Sequence, residues 1–177
     1  SRLTAAITER VRNRFPGGAS AELFARAEEG FRDRGPFSVS DPVDLRGGDD
    51  PITVSRLAMG TGSNGWAGSS NQTRKLGVKG VADLFEYGLK EHGITFWDSA
   101  DQYGSHPHLK EALKRVDRDD VVILTKTTAN SASEMRNDLD RFRRELGTDR
   151  IDVLLLHCMT AESWPKQMRG VMDVISK

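Results

Sequence analysis

The chain has 177 residues, of which 37% are hydrophobic and 29% are charged, so it is long enough for one well-buried domain and short for two. Its 26 basic and 26 acidic residues cancel, so charge gives no reason to expect nucleic acid or an anionic membrane as a partner. No apolar stretch of the sequence reaches the roughly 18 residues of a membrane span.

The single cysteine, Cys158, excludes an internal disulfide framework and fits a reducing compartment. These features predict a cytoplasmic protein. Because the chain begins at Ser1 rather than Met, we expect a preceding segment to have been removed, which leaves an exported form open.

Residues 1–37 are predicted to form a helical extension, separate from a main domain at residues 38–177. Leu3, Ile7 and Val11 recur four residues apart, which is typical of one helical face. Ser20 is a suitable cap for a second helix. We see no catalytic chemistry here and expect at most a contact to a protein partner or to a second copy of the chain.

A hairpin is predicted next. Its first arm covers residues 43–50 with Gly47-Gly48 as the turn, and Ile52–Met59 returns as a strand. The following residues, Ser63–Lys79, are polar and rich in Gly, Ser and Asn, so we expect a long loop there.

From residue 81 onward, helices and strands are predicted to alternate. Apolar runs at 94–97, 121–125 and 151–156 are typical of buried strands. Helical spacing of apolar residues precedes or follows each run, and Gly93 and Gly147 end two of the helices. The four predicted helices are marked by Val81, Leu84, Phe85 and Leu89; by Leu109, Ala112, Leu113 and Val116; by Met135, Leu139, Phe142 and Leu146, after a capping box at Ser131 and Glu134; and by Met168, Val171, Met172 and Ile175.

Alternating apolar strands and helices with short connections predict an α/β fold with a parallel sheet. The glycines from Gly60 to Gly65 are followed by a loop rather than a helix, which weakens a Rossmann interpretation. A (β/α)₈ TIM barrel fits better, and the sequence contains its first four or so β/α units.

Chemically complementary side chains stand at the C-terminal ends of successive predicted strands, where barrel active sites lie. These are Asp98, Lys126 and His157, with Tyr103 five positions after Asp98. A cation near a tyrosine lowers the phenol pKa, and such a phenol can give a proton to a carbonyl oxygen. His157 can hydrogen-bond the same oxygen, and the electrons would come from a cofactor hydride.

Each of these residues also has an ordinary explanation taken alone. A strand-ending Asp is often a cap or loop residue, a strand-ending Lys is usually solvated, and a lone His or Tyr is more often structural. Their recurrence at equivalent positions is what favours a site.

The sequence is similar to the N-terminal half of the aldo-keto reductase family. The segment Phe96–Gly104 resembles the family signature in which Asp precedes the catalytic Tyr, and Leu124–Lys126 resembles the strand that carries its Lys. Asp149–His157 resembles the segment with its His, and Leu57–Gly62 resembles the first strand and the loop beside the nicotinamide.

The resemblance implies reduction of a small aldehyde or ketone with NADPH, or alternatively NADH. It assigns a catalytic tetrad: Tyr103 as proton donor, Lys126 as the group that lowers its pKa, Asp98 as partner of Lys126, and His157 as the residue that orients the carbonyl. Gly60, Thr61, Gly62 and Asp98 are then expected to contact the cofactor, and Trp66, Tyr103 and His157 the substrate. For Trp66, covering the barrel rim is an equally good explanation.

The family's second half carries most of its cofactor contacts, so we expect the working protein to continue beyond Lys177 and the 177-residue piece alone to be inactive. Two other interpretations stay open. One is a non-catalytic, cofactor-binding regulatory or interaction subunit of the same fold. The other is a metal site built from His106, His108, His157 and Cys158, although typical metal-ligand spacings are missing. The sequence does not identify the substrate, the preferred nicotinamide or the oligomeric state.

Overall fold

A computed structural model describes residues 38–45 and 51–176. The predicted helical extension at residues 1–37 and the predicted turn at Gly47-Gly48 lie outside the described residues. No helix of the described part is long and apolar enough to cross a bilayer.

A short hairpin precedes the main sheet. Strands β1 (Pro42–Asp44) and β2 (Thr53–Ser55) pair antiparallel, with Val43 opposite Val54. The prediction of one continuous strand over residues 52–59 is therefore wrong. The Ser55 hydroxyl donates to the Leu57 carbonyl at 2.7 Å, and this local bond turns the chain out of the hairpin.

The main sheet has four parallel strands in sequential order, as predicted for one side of a (β/α) barrel. Its register places Gly60 beside Asp98 and Asp98 beside Leu124. Lys126 pairs with Leu155. The strands are β3 (Ala58–Gly60), β4 (Phe96–Asp98), β5 (Val122–Thr127) and β6 (Val153–Leu156).

Helices connect these strands as crossovers, and each of the four predicted β/α units is present. Two short 3₁₀ turns, Asp101–Tyr103 and Arg118–Asp120, lie in the connections. The helices are α1 (Asn71–His92), α2 (His106–Leu113), α3 (Ala132–Leu146), α4 (Trp164–Gln167) and α5 (Arg169–Ile175).

Helix α1 begins earlier than predicted. Ser70 and Thr73 form a reciprocal capping box, so helical structure starts at Asn71 inside the segment expected to be a loop. Gly77 interrupts it with φ 63° and ψ −176°. The polar composition of residues 63–79 concealed this first turn because a Ser–Thr cap lacks the usual acidic residue at its third position.

The core lies between the sheet and the helices. Trp97 is fully buried and packs edge-on against Phe85, with ring centres 5.1 Å apart. Because side chains alternate along a strand, Trp97 on the helix side places its neighbour Asp98 on the opposite face of the sheet. The same alternation holds on β5, where Thr125 and Thr127 are fully buried and Lys126 lies between them.

Candidate active site

The ends of three adjacent strands bring the predicted polar residues together. Asp98 is the last residue of β4, Lys126 lies one residue before the end of β5, and His157 directly follows β6. The His157 amide donates to the Thr127 carbonyl at 2.8 Å, which continues the sheet pairing beyond β6. The C-terminal edge of the sheet is thus the candidate active site.

Lys126 and Asp98 form an ion pair across the neighbouring strands. The ammonium donates to Asp98 Oδ1 at 2.5 Å and to the Ser99 carbonyl at 2.8 Å. The side chains are 15% and 29% exposed, so the pair is only partly shielded from water. This pairing was predicted, whereas the contact with the Ser99 carbonyl was not, because backbone acceptors leave no mark in the sequence.

Tyr103 reaches the same edge from the 3₁₀ turn after β4. Gly104 ends that turn with φ 61°, a left-handed conformation that favours glycine. The Tyr103 hydroxyl lies 3.5 Å from His157 Nε2, and the two rings meet edge-on. Lys126 Nζ lies over the tyrosine ring, 5.1 Å from its centre. All four residues of the predicted tetrad are therefore neighbours.

The electrostatics of Tyr103 differ from the expectation. Burial raises the pKa of the phenol, and the negative charge of Asp98 adds to the increase. The expected net lowering of this pKa is not found, and the Lys126 ammonium donates its hydrogen bonds to Asp98 and the Ser99 carbonyl instead. The phenol is therefore held in its protonated form at neutral pH.

His157 is held in its neutral form. Burial lowers the pKa of the imidazole, the Lys126 charge lowers it further, and Asp98 opposes the change. Its Nδ1 is buried and has no hydrogen-bond partner among the described residues. A neutral imidazole beside a protonated phenol gives this edge two groups that can hydrogen-bond one oxygen atom.

Gly62 and Gly65, which follow β3, lie against opposite edges of the Tyr103 ring. A β-carbon placed at Gly62 would collide with one edge of the ring, and one placed at Gly65 would collide with the other edge. Gly60 faces Asp98, whose Oδ2 lies 3.7 Å from the β-carbon position of Gly60. Gly65 was missed as a site residue, although its place in the glycine-rich run was a usable signal.

The Thr61 side chain does not face an open site. It is fully buried, and its hydroxyl lies 2.8 Å from the Ser105 hydroxyl and 3.1 Å from the Asp98 carbonyl. Its role in the structure is to fasten the loop after β3 to the chain on either side of Tyr103. The contact of Thr61 with a cofactor stays a prediction, and its hydroxyl is paired within the protein.

Trp66 stands on a tight turn beside Tyr103, and 69% of the residue is exposed. Trp66 and Ser69 exchange backbone hydrogen bonds, while Ala67 and Gly68 have φ 50° and 78°. Positive φ at both central residues is the mark of a type I′ turn. The Gly68 amide donates to the Gln102 carbonyl at 3.0 Å, so the turn is bound to the Tyr103 segment.

The residues of the alternative metal site lie in different environments. His106 is buried and hydrogen-bonds Glu145 and Thr125, whereas His157 contacts Tyr103. Within residues 38–45 and 51–176, ligand atoms converge in one group only, Asp101, His106 and Glu145. Arg141 donates to both of its carboxylates, so a cation already occupies that position. The four residues of the alternative site do not converge.

Parallel β/α units with a carboxylate, an ammonium, a phenol and an imidazole at or near the strand ends are typical of a (β/α) barrel with its candidate site at the C-terminal edge of the sheet. Residues 56–177 match the family described as "Aldo/keto reductase family". The chain belongs to this family. None of the curated proteins matches the sequence.

Solved structures support the same fold. A Pseudomonas aeruginosa protein assigned to the aldo-keto reductases is 25% identical with a TM-score of 0.62, covering 78% of this chain and 55% of its own. A silkworm (Bombyx mori) aldo-keto reductase is 22% identical with a TM-score of 0.58, covering 79% and 46%. Another Bombyx mori aldo-keto reductase, solved in complex with NADP, is 18% identical with a TM-score of 0.56, covering 80% and 48%. The chain spans about half the length of these structures.

Proposed function

We propose that the protein reduces an aldehyde or ketone to an alcohol by hydride transfer, with Tyr103 as the proton donor. The observation that carries this proposal is the convergence of the Tyr103 hydroxyl and His157 Nε2, 3.5 Å apart, at the C-terminal edge of the sheet. A carbonyl oxygen placed between them accepts two hydrogen bonds as negative charge develops on it.

Tyr103 has the protonation state that a donor needs. A free phenol, with a pKa near about 10, already keeps its proton at neutral pH, and burial raises the pKa of Tyr103 further. His157, neutral at that pH because burial lowers its pKa, orients the oxygen without competing as an acid.

Lys126 acts after the proton has left. Giving up the proton turns Tyr103 into a phenolate, and the ammonium over its ring stabilises that charge. Asp98 holds the ammonium in place through the 2.5 Å ion pair. Lys126 thus favours the phenolate product of the transfer, while burial and Asp98 favour the phenol at its start.

A nicotinamide cofactor, NADPH or alternatively NADH, supplies the hydride when bound. The strand end fits such a group in one respect: Gly60 and Gly62 have no side chains to cover the edge on which Asp98 and Tyr103 lie. Gly60, Thr61, Gly62 and Asp98 would hold the nicotinamide end. In one structural neighbour the ligand is NADP, which is a property of that protein.

Trp66 is proposed to form one wall of the substrate pocket. Its turn is hydrogen-bonded to Gln102 and lies beside Tyr103, and its indole is largely exposed.

Residues 1–37 are proposed to form a separate helical unit that contacts a protein partner. The protein is proposed to be cytoplasmic.

Consumption of NADPH by the full-length protein with a panel of small aldehydes and ketones tests the proposal. Tyr103→Phe should lower turnover by about 10²- to 10⁴-fold, the usual contribution of a positioned general acid. Tyr87→Phe is the matched control, because Tyr87 is the other of the chain's two tyrosines and lies exposed on α1. Equal rates for Tyr103→Phe and wild type would remove the proposed acid. A wild type that binds NADPH without turnover on any carbonyl would support the non-catalytic alternative.

A further inference from the structure

Helix α3 has a charged face that is turned toward the residues surrounding the tetrad. Asp138, Arg141 and Glu145 are spaced three and four residues apart, so they lie on one side of the helix. Arg141 donates to Asp138 at 2.8 Å and to Glu145 at 3.2 Å. We call these three residues the α3 charged face.

Arg141 grips the turn that carries Tyr103. Its guanidinium donates two hydrogen bonds to Asp101, at 2.6 and 2.9 Å, one to each carboxylate oxygen. Asp101 begins the 3₁₀ turn that ends at Tyr103. A forked contact of this kind fixes orientation as well as distance, because both partners are planar.

Glu145 contacts the C-terminal end of the segment that contains Tyr103. It lies 2.8 Å from Nδ1 of His106, the first residue of α2 and only 2% exposed. A carboxylate only accepts hydrogen bonds, so Nδ1 carries the proton. Nε2 then accepts from the Thr125 hydroxyl at 2.8 Å. Burial lowers the pKa of His106, which keeps this neutral tautomer at neutral pH.

Asp138 completes the contacts on β5. It accepts from the Thr127 hydroxyl at 2.5 Å. Thr125 and Thr127, both fully buried, are the neighbours of Lys126 on either side. One helix face therefore holds the residue after Lys126 directly, the residue before it through His106, and both ends of the segment that contains Tyr103.

We propose that the α3 charged face is a positioning device that sets the placement of Tyr103 relative to Lys126. This inference rests on the proposed function for its effect on turnover, although the placement itself is a property of the fold. Asp138, Arg141 and Glu145 touch no reacting atom and act through Asp101, His106 and the two threonines. A shift of about 1 Å in a reacting group lowers a rate by about 10²-fold, so small losses of support have large effects.

Arg141→Gln is the test variant, because it keeps a polar side chain and removes the forked contact. Arg143→Gln is the matched control on the same helix, since among the residues that the structure describes Arg143 pairs only with the exposed Asp140, at 3.6 Å. Two quantities are measured in the full-length protein: kcat and KM for the reduction of a carbonyl substrate, and the fluorine resonance of Tyr103 in protein labelled with fluorotyrosine. The resonance that Tyr103→Phe removes identifies Tyr103.

Arg141→Gln should lower kcat by about 10- to 100-fold with KM changed less than about threefold, and should move the Tyr103 resonance. Arg143→Gln should change neither. Asp101→Asn, which keeps the shape of the side chain, should reproduce the effect if Arg141→Gln fails to fold. A folded Arg141→Gln protein with an unmoved Tyr103 resonance overturns the proposal, whatever its rate. A moved resonance in a protein whose wild type reduces no carbonyl supports positioning and rejects the proposed function.

Discussion

The Lys126 ammonium donates a 2.5 Å hydrogen bond to Asp98 and lies 5.1 Å from the centre of the Tyr103 ring. It therefore interacts more directly with the carboxylate than with the phenol. The usual simple expectation, that a lysine beside a tyrosine lowers the phenol pKa, is reversed here. Burial and the Asp98 charge together raise that pKa. The arrangement keeps a proton on Tyr103 until the substrate takes it.

Asp98→Asn should lower the Tyr103 pKa relative to wild type. The substitution removes a negative charge that raises this pKa and frees Lys126 to face the phenol. The pKa is measured by following the Tyr103 fluorine resonance of labelled protein against pH. Asp140→Asn, an exposed change on α3, serves as the control and should leave the titration in place. An increase in the Tyr103 pKa in Asp98→Asn would show that this carboxylate does not act on the phenol as described.

Gly62→Ala should displace the Tyr103 ring and impair the site. Its β-carbon would overlap the ring, and overpacking of this kind destabilises a protein by about 1–3 kcal/mol. We expect turnover to fall at least about tenfold because the hydroxyl moves away from His157.

The measurements for this variant are the free energy of unfolding in urea and the rate of carbonyl reduction. Gly170→Ala is the matched control, since nothing lies within 4 Å of its β-carbon position. Wild-type stability and wild-type turnover in Gly62→Ala would mean that the ring is not confined by the loop after β3.

The free energy of unfolding should decrease as pH falls below about 6.5, the ordinary pKa of histidine. Burial lowers the pKa of His106, His108 and His157 in the folded state, so the unfolded chain binds more protons in this range. The free energy of unfolding therefore rises with pH below about 6.5, and the contribution of these histidines to it is complete above that pH.

His106→Gln should flatten this dependence, because one of the contributing groups is gone. The charged groups facing His106 are Glu145, Asp101 and Arg141, and the two carboxylates only partly offset its burial. Urea unfolding between pH 5 and pH 8 measures the slope. His92→Gln, at the exposed end of α1, is the comparison and should retain the wild-type slope. Parallel slopes for His106→Gln and wild type would assign the pH dependence to other groups.

Much of this architecture was predictable because it follows from local chemistry. Apolar runs separated by helical spacing predicted the parallel sheet, and glycines at positions 93 and 147 ended their helices in the left-handed conformation. The order of Asp98, Lys126 and His157 along three strands predicted their meeting, because parallel strands place their C-terminal ends on one edge. The start of α1 and the break after Ser55 were missed, since both depend on a few local hydroxyl hydrogen bonds.

The sequence by itself therefore determined which residue types stand at the strand ends, since strand periodicity and the parallel order are written into its pattern of apolar residues. Only the tertiary structure decided what those residues do to one another. Burial of Tyr103, the commitment of Lys126 to Asp98, and the contacts of α3 with Asp101 and His106 join residues far apart in the chain. Desolvation and hydrogen bonding depend on such packing, and no local pattern of residues encodes them.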